Sequence, residues 1–588
     1  MIDYSSFESA VGLNWYETDP HLQLLMDRHL TVGDRDFAEP LLKEFGALAG
    51  GAIAERAEMT DKNPPRLERY DRWGDEVGDV VHHPSALDTK RDLVEFGFFA
   101  LERKWGRRIP QPLSAAWAYL LCQAETAMHC AMGMTTGAAS VIEHAGTDEQ
   151  RDRYLPLLMA DEWDHFGSGA MFLTERQGGS DLGPVSTVAR QRDDGAWRLD
   201  GDKWFCSNVD ADVILTLARP EGAPEGTTRG LGLFLVPRRR RDGSRNGIVI
   251  KRLKDKLGTR MVPTAEVTFV DCDAELVTAP RSDLESRASD PSTARGEGGL
   301  NRMMDMVNAS RRGVALMGLG IARRCFLEAA IYAHHRQAFD RPLCDWPLMR
   351  RVLVNMIVEL EAAAALCFEP TGALDRLSRK EAQPGDPELV RVLTPLSKLR
   401  AARRGLDLAT AGLEVFGGNG YIENFPMARQ LRDAQCHTIW EGTENIVALD
   451  VLRSFRRDAS YTALLSRLRE TLATGPDALA REKNLLAGEI DRVDDATAAV
   501  LSMNSERADL RAGELAAWLA DICSATLLVD TAGFALERDH DARSALVARL
   551  YVRHHLAPDR RARVVDDDDS EATHFDSLVR YAPLEVLP

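Results

Sequence analysis

The chain has 588 residues, a formal net charge of −18, 44 % hydrophobic residues and 28 % charged residues. This length favours three or four domains or subdomains with a large buried core. The composition is near the average of soluble globular proteins, and no apolar run approaches the ~20 residues that span a bilayer, which argues against a membrane partner. The negative charge repels polyanions, so nucleic acid is disfavoured as a partner unless basic residues gather on one face.

Cysteine usage and the N-terminal segment indicate the cellular compartment. The nine cysteines contain no C-x-x-C pair and no Cys/His spacing of a zinc site. We therefore expect reduced thiols, no disulfides and no metal. Residues 1–24 are acidic and aromatic rather than basic and then apolar, unlike a secretory or transit peptide. We expect a cytoplasmic protein.

Hydrophobic periodicity divides the chain into blocks. Residues 1–165 have helical spacing, for example at 90–105 and 114–134, and predict an N-terminal helical domain. Short alternating or apolar runs predict a small middle β domain at 166–285, with strands at 197–205, 213–218, 231–236, 248–250 and 266–270. Residues 281–299, rich in Ser, Asp, Arg and Gly, predict a mobile connection.

Helical periodicity then resumes and continues to the end of the sequence. Residues 295–455 predict a C-terminal helical bundle that is broken at Pro342, at 370–387 and at 417–420. Residues 456–588 predict an extra C-terminal helical domain with an acidic run at 566–569. Helix, strand and helix blocks in this order predict an α+β fold rather than an alternating one.

Two segments of the predicted β domain carry candidate ligand groups. At 172–181 the chain reads Phe-Leu-Thr-Glu-Arg-Gln-Gly-Gly-Ser-Asp, where glycines let backbone N–H groups approach a ligand and Thr174 and Ser180 add hydroxyl donors. Phe205 and Ser207 are two residues apart on a strand, so they share a face and can contact one planar cofactor. A hydrogen-bonded turn and a core strand are the structural alternatives.

A glycine cluster and a carboxylate mark the predicted bundle. Three glycines lie within 417–420, more than a helix C-cap needs, which indicates close approach to a ligand. About twenty residues later, Glu441 lies in a mainly apolar stretch, where partial desolvation suits a carboxylate to general-base work. A helix cap and a surface salt bridge are the alternatives for these two features.

Taken together with Arg336-Gln-Ala-Phe339, these motifs resemble the acyl-CoA dehydrogenase family in order and approximate spacing over about 100–455. Segments at 63–71, 174–181, 253–258 and 449–453 are most similar to the AidB-like branch of that family, which is associated with the bacterial alkylation response. The resemblance implies a fold with an N-terminal helical domain, a middle β-barrel or sheet domain and a C-terminal four-helix bundle.

The resemblance also implies a cofactor, a reaction and site residues. It implies an FAD-dependent enzyme that oxidises an acyl-CoA to the trans-2-enoyl-CoA, with Glu441 as the base that removes the α-proton while hydride leaves to the flavin. The implied FAD contacts are Leu173, Thr174, Ser180, Phe205, Ser207, Arg336, Phe339, Glu414, Gly418, Thr443 and Asn445. The implied substrate contacts are Ser180, Asn308, Arg311 and Gly442. Phe205 stands where many family members have Trp, and Glu414 replaces a common Gln.

The implied partners are an acyl-CoA substrate, electron-transfer flavoprotein as the usual electron acceptor, with oxygen as the alternative, and further copies of the chain, usually in a homotetramer. A second hypothesis is an AidB-like DNA-associated flavoprotein with weak dehydrogenase activity, in which Arg453 and the pair at 456–457 begin a DNA-binding region. Against it, residues 451–588 are acidic overall. The strongest basic cluster, at 238–241, lies between two predicted strands and is also explained as a solvated turn.

Two further features stay open from the sequence. The methionine-rich segment at 128–134 is explained either as the lining of an acyl channel or as core packing. A catalytically silent scaffold is disfavoured because Glu441 and the glycine cluster are both intact.

Overall fold

The structure is a computed structural model that describes residues 1–277, 298–557 and 569–588, with the backbone alone at 298–305. The chain divides into two compact units. We call Met1–Glu55, Ile109–Thr126 and Val314–Pro588 the helical unit, and Arg56–Arg108 and Ala127–Gly313 the sheet unit.

Helices make up most of the described chain. In chain order they are α1 Pro20–His29, α2 Val32–Leu48, α3 Ala54–Lys62, α4 Pro84–Phe96, α5 Leu101–Trp105, α6 Gln111–Ala124, α7 Thr126–Ala145, α8 Asp148–Leu158, α9 Gly298–His335, α10 Pro347–Arg379, α11 Asp386–Phe416, α12 Pro426–His437, α13 Glu444–Arg457, α14 Ser460–Thr474, α15 Ala480–Ser502, α16 Ser505–Asp539, α17 Arg543–His555, α18 Ser570–Thr573 and α19 Phe575–Arg580.

The strands are concentrated in the middle of the sequence. They are β1 Arg66–Tyr70, β2 Glu76–Val81, β3 Gly169–Phe172, β4 Val188–Gln191, β5 Trp197–Ser207, β6 Val213–Pro220, β7 Gly232–Pro237, β8 Ile248–Leu253, β9 Thr264–Leu276, β10 Gln337–Ala338 and β11 Arg341–Pro342. The blocks of helix, strand and helix confirm the predicted α+β fold class.

A seven-stranded sheet forms the core of the sheet unit. Its order is β3-β6-β4-β5-β9-β7, with β8 on β9 and a further pairing of β6 with β7. That last pairing closes β6, β4, β5, β9 and β7 into a small barrel. Apolar side chains such as Leu199, Ile214 and Phe269 fill its interior. The five predicted strands correspond to β5 to β9 and are confirmed, with β7 beginning one residue later than predicted, at Gly232.

Some local predictions were wrong. The hairpin of β1 and β2 interrupts the predicted N-terminal helical region, and its Leu67 and Val80 pack against the barrel core rather than along a helix. The helix break predicted to begin at Pro370 is also wrong, because α10 continues through it to Arg379. Pro370 has no N–H for the carbonyl of Leu366, and Ser397 Oγ of α11 donates to that carbonyl at 2.9 Å instead.

Three further sequence predictions concern the connection before α9 and the acidic run, the domain boundaries, and the cysteines. The connection predicted at 281–299 and the acidic run at 566–569 lie outside the described residues, apart from the start of α9 and Asp569. The domain boundaries stay a prediction. All nine cysteines are free thiols.

The helix α16 departs from the expectation that no segment is apolar enough to cross a bilayer. Among the described residues, this helix contains an 18-residue window with a mean hydropathy of 1.5, which meets the length and composition of a membrane span. Protein atoms bury 72 % of that window. Burial explains its composition, since core helices of globular proteins meet the same criterion.

A buried ion pair connects α17 to α10 inside the helical unit. Arg543 donates to the two carboxylate oxygens of Glu361 at 2.7 and 3.1 Å, and both side chains are almost fully buried. Arg543 also donates to the carbonyls of Ser577 and Leu578 in α19. Burial acts to raise the pKa of Glu361, but the charges of Arg543 and His21 and the hydrogen bonds from Arg543 and Tyr581 together lower it.

We expect Arg543→Met to destabilise the protein by roughly 3–5 kcal/mol, because it leaves the Glu361 carboxylate buried without its cation. The double variant Glu361→Leu/Arg543→Met should regain most of that loss. Urea unfolding at neutral pH, followed by circular dichroism, measures both. Equal destabilisation of the single and double variants would contradict this role of the pair.

Candidate active site

In the sheet unit, a buried ion pair fixes the segment that precedes the glycines at 178–179. Lys203 Nζ of β5 lies 2.8 Å from Glu175 Oε1 and also donates to the carbonyl of Leu217 on β6. Ser186 and Thr187 donate backbone and hydroxyl hydrogens to the same carboxylate. Burial acts to raise the pKa of Glu175, but the Lys203 charge and these hydrogen bonds lower it to about 2. The loop start is therefore joined to the barrel wall.

This anchored segment presents the predicted hydroxyls. The Thr174 carbonyl accepts the Trp204 backbone N–H at 2.9 Å, and a Cβ added at Gly179 would lie 2.9 Å from Thr174 Oγ1. Ser180 is exposed, and Leu173 packs against the apolar cluster beside the barrel. The glycine is thus required by the close approach of the loop to Thr174.

The predicted aromatic and hydroxyl of β5 share a face, as the sequence indicates. Phe205 is 56 % exposed, whereas Cys206 between the two points into the core. Ser207 Oγ is 2.9 Å from Thr264 Oγ1 on β9. Two residues of β5, Trp204 and Phe205, bulge between Lys203 and Cys206, a register shift that the alternation pattern did not predict.

Cations surround the neighbouring indole. Lys254 Nζ lies 3.5 Å from the centroid of the Trp204 ring and 4.9 Å from that of Phe205, and the Arg176 guanidinium carbon lies 5.3 Å from the Trp204 ring. Lys254 Nζ is also paired with Glu266 Oε1 at 2.9 Å, so this edge offers a planar ligand an aromatic stacking surface rather than an unpaired charge.

The two predicted substrate residues on α9 contact each other. Arg311 is 4 % exposed and donates to Asn308 Oδ1 at 3.3 Å. Near them, a Cβ added at Gly313 would lie 3.2 Å from His129 Cε1 on α7. Burial lowers the pKa of His129 to about 4, so its imidazole is neutral at pH 7. Met128 and Met132 of the same helix are buried, which favours core packing for that segment.

In the helical unit, the predicted base lies on a left-handed turn before α13. Glu441 has φ 55° and Gly442 has φ 103°. A Cβ at Gly442 would lie 3.1 Å from Ile446 Cγ2, so both the conformation and the space require glycine. Thr443 and Asn445 are exposed. Lys398 of α11, which the sequence analysis missed, donates to the Gly442 carbonyl.

The glycine cluster and the segment after α9 are both accessible within the helical unit. Glu414 and Gly418 are exposed, and a Cβ at Gly418 would meet no atom within 4 Å. Asn419 Nδ2 donates to the Tyr332 hydroxyl at 3.1 Å, which ties this cluster to α9. Arg336 is exposed at the end of α9, and Phe339 is 84 % exposed with φ 52°.

Each unit therefore gathers part of the predicted set. The sheet unit contains Leu173, Thr174, Ser180, Phe205, Ser207, Asn308 and Arg311, and the helical unit contains Arg336, Phe339, Glu414, Gly418, Glu441, Gly442, Thr443 and Asn445. The roles of these residues stay predictions. Glu175, Lys203 and Lys398 were missed because their partners are distant in sequence.

Three family profiles match consecutive parts of the chain. "Adaptive response protein AidB N-terminal domain" matches residues 7–165, "Acyl-CoA dehydrogenase, middle domain" matches 170–272, and "Acyl-CoA dehydrogenase, C-terminal domain" matches 297–455.

Known relatives align over most of their lengths. The chain is 31 % identical over 542 residues to acyl-CoA dehydrogenase family member 11 of Caenorhabditis elegans, covering 88 % of this chain and 84 % of that protein. It is 34 % identical over 463 residues to the putative acyl-CoA dehydrogenase AidB of Escherichia coli, covering 77 % and 80 %. The crystal structure of C. elegans ACDH-11 in complex with C11-CoA superposes with a TM-score of 0.85 at 27 % identity, over 97 % of this chain and 98 % of that one.

The chain belongs to the acyl-CoA dehydrogenase family, with AidB-like homologues, as its motifs predicted. Its cofactor is FAD. The described residues fit this group: the hydroxyls of Thr174 and Ser180 and the exposed Phe205 ring offer donors and a stacking surface in the sheet unit. In the helical unit, Arg336 and the open Gly418 backbone offer a cation and space for a phosphate.

We expect Lys203→Met to cost roughly 3–5 kcal/mol of stability at pH 7, because Glu175 keeps its burial and loses its cation. In the wild type the pKa of Glu175 is about 2, below its ordinary 4.5, so the stabilising contribution is complete above pH 5 and disappears as the pH falls toward 2. In the variant, burial raises this pKa, so acidification from pH 7 to 5 should recover stability.

Guanidinium unfolding at pH 7 and pH 5 measures the two trends. The variant Lys203→Met/Glu175→Gln is the matched control and should lose the recovery on acidification. A Lys203→Met protein that is less stable at pH 5 than at pH 7 would refute the assignment.

Proposed function

We propose that the chain is an FAD-dependent acyl-CoA dehydrogenase that converts an acyl-CoA into the trans-2-enoyl-CoA, with Glu441 as the base for the α-proton. The observation that carries this proposal is the left-handed turn at Glu441 and Gly442, which presents a carboxylate from a fixed backbone in front of α13. An unfavourable backbone conformation in a non-glycine residue is typical of functional sites.

The chemical difficulty of the reaction is the weak acidity of the α C–H bond. Glu441 supplies a carboxylate close to the N-terminus of α13, whose partial positive charge stabilises an anion there. Rigid support keeps the base in its reactive orientation and so reduces the entropic part of the activation barrier. FAD, when bound, supplies the acceptor for the hydride that leaves the β-carbon. In this proposal Thr174, Ser180, Phe205, Ser207, Arg336 and Phe339 hold the cofactor.

The buried Arg311 supports an acyl-CoA as the substrate. Its guanidinium is oriented by Asn308 on the same helix, an arrangement that suits recognition of a phosphate or carbonyl oxygen. The relative from C. elegans was crystallised with C11-CoA, which supports the same ligand class. We propose that Arg311 and Asn308 bind the CoA end, with Ser180 and Gly442 as further contacts.

Electron transfer and assembly complete the proposal. We propose electron-transfer flavoprotein as the electron acceptor, following the family. We also propose a homo-oligomer, supported by the exposure of Phe339 at 84 % and Tyr421 at 83 % in the helical unit. Large aromatic side chains with so much exposed surface favour contact with another protein surface.

Charge pairing favours the dehydrogenase over the DNA-associated alternative. The cluster at 238–241 leads into a turn at 240–243, and its Arg240 and Arg241 pair with Asp273 and Glu149. At the start of the proposed DNA-binding region, Arg453 pairs with the buried Asp450. Cations already paired with carboxylates contribute little to phosphate binding.

Anaerobic titration with straight, branched and aromatic acyl-CoAs, followed by loss of oxidised-flavin absorbance, tests the proposal. We expect rapid bleaching by at least one class, and a reduction of at least ~10²-fold in its rate in Glu441→Gln, because the general base is lost. Glu444→Gln is the matched control three residues further on, where the carboxylate pairs with Arg403, and it should bleach nearly as fast as the wild type.

A flavin-loaded protein that no thioester bleaches would overturn the proposal. Binding of duplex DNA that weakens steeply with salt would then support the AidB-like alternative. Bleaching by Glu441→Gln at the wild-type rate would assign the base to another residue.

A further inference from the structure

Three cations of α11 contact α13 and the turn before it. Arg391 donates to both carboxylate oxygens of Asp450 at 3.0 and 2.8 Å, and Arg403 donates to Glu444 at 2.7 Å. Between them on the same helix, Lys398 donates to the backbone carbonyl of Gly442. The two arginines thus hold the helix, whereas the lysine holds the turn itself.

The turn needs such support because its backbone conformation is unfavourable. A glutamate at φ 55° is in the left-handed region, which L-residues with a side chain avoid. Gly442 follows at φ 103°, and its own neighbours Ile446 and Val447 leave little space on one side. Released from its contacts, Glu441 would relax toward a right-handed or extended conformation and its carboxylate would move.

A buried lysine at this position would be unfavourable for folding if the side chain served only for packing. Lys398 is 1 % exposed, and burying an ammonium opposes folding far more than burying a methionine of similar length. In return, its charge-assisted hydrogen bond to the Gly442 carbonyl is stronger than a neutral one and is directional. A buried cation on the carbonyl of the residue next to Glu441 points to a task at that turn.

We infer that Lys398 is a positioning residue for the base: its ammonium fixes the Gly442 carbonyl and so keeps the left-handed turn that presents Glu441. This inference rests on the proposed function, in which Glu441 removes the α-proton.

Lys398→Met in the full-length, flavin-loaded protein tests the inference with the best acyl-CoA of the titration. We expect kcat to fall by about 10- to 100-fold, because a misplacement of about 1 Å at a reacting group costs that much, while KM changes less than about threefold. An α-deuterated substrate should show a larger isotope effect on kcat than in the wild type, because α-proton removal becomes slower.

Arg403→Met is the matched control on the same helix, since it removes a half-exposed ion pair to α13 without touching the turn. Its kcat should stay within about fivefold of the wild type, as expected for such a pair. Lys398→Gln retains a donor without a charge and serves as the second variant if the methionine fails to fold.

Wild-type kcat in a folded lysine variant, or a loss confined to KM, would overturn the inference while leaving the proposed function intact. An equal loss of kcat in Arg403→Met would also overturn it, because general loosening of α13 would then explain both. A wild type that oxidises no acyl-CoA overturns the proposed function, and this inference falls with it.

Discussion

Charges inside each unit must be paired, and these pairs decide which distant segments meet. A buried carboxylate without a cation costs several kcal/mol, so every such group fixes the position of its partner. Glu175 with Lys203 joins a loop to the barrel wall, Glu361 with Arg543 joins α10 to α17, and Asp450 with Arg391 joins α13 to α11. Hydrophobic burial stabilises the units, but it is non-directional and specifies less strictly which segments pack together.

The pairs have a direct consequence for the predicted site residues. Loops with glycines are flexible, and a loop that must offer hydroxyls to a cofactor needs one rigid end. Glu175 provides that end for Thr174 and Ser180 because Lys203 belongs to a strand of a closed barrel. In the helical unit, α11 plays the same part for the turn at Glu441. The reactive groups are exposed or half-buried, whereas their anchors are buried.

Sequence patterns predicted the features that depend on local periodicity. Alternation in β5 placed Phe205 and Ser207 on one face, and helical spacing located most of the bundle. The bulge at Trp204 and Phe205 was missed because it is defined by the pairing of β5 with β9, which a single-strand pattern does not contain. Continuation of α10 through Pro370 was missed because Ser397 of another helix satisfies the freed carbonyl. Glu175 and Lys203 were missed because the two residues lie 28 positions apart in sequence and meet only when the barrel closes.

The turn at Glu441 explains why a lysine, rather than an apolar side chain, occupies position 398. The Gly442 carbonyl lies just outside the first turn of α13, where no helical N–H group can reach it. An apolar neighbour would leave that carbonyl without a donor and would not resist rotation of the peptide plane. A lysine reaches it from α11, and its directional hydrogen bond to that carbonyl resists the rotation. Accurate placement of Glu441 therefore requires a buried hydrogen-bond donor at the Gly442 carbonyl. The long side chain of Lys398 carries such a donor from α11 to that carbonyl.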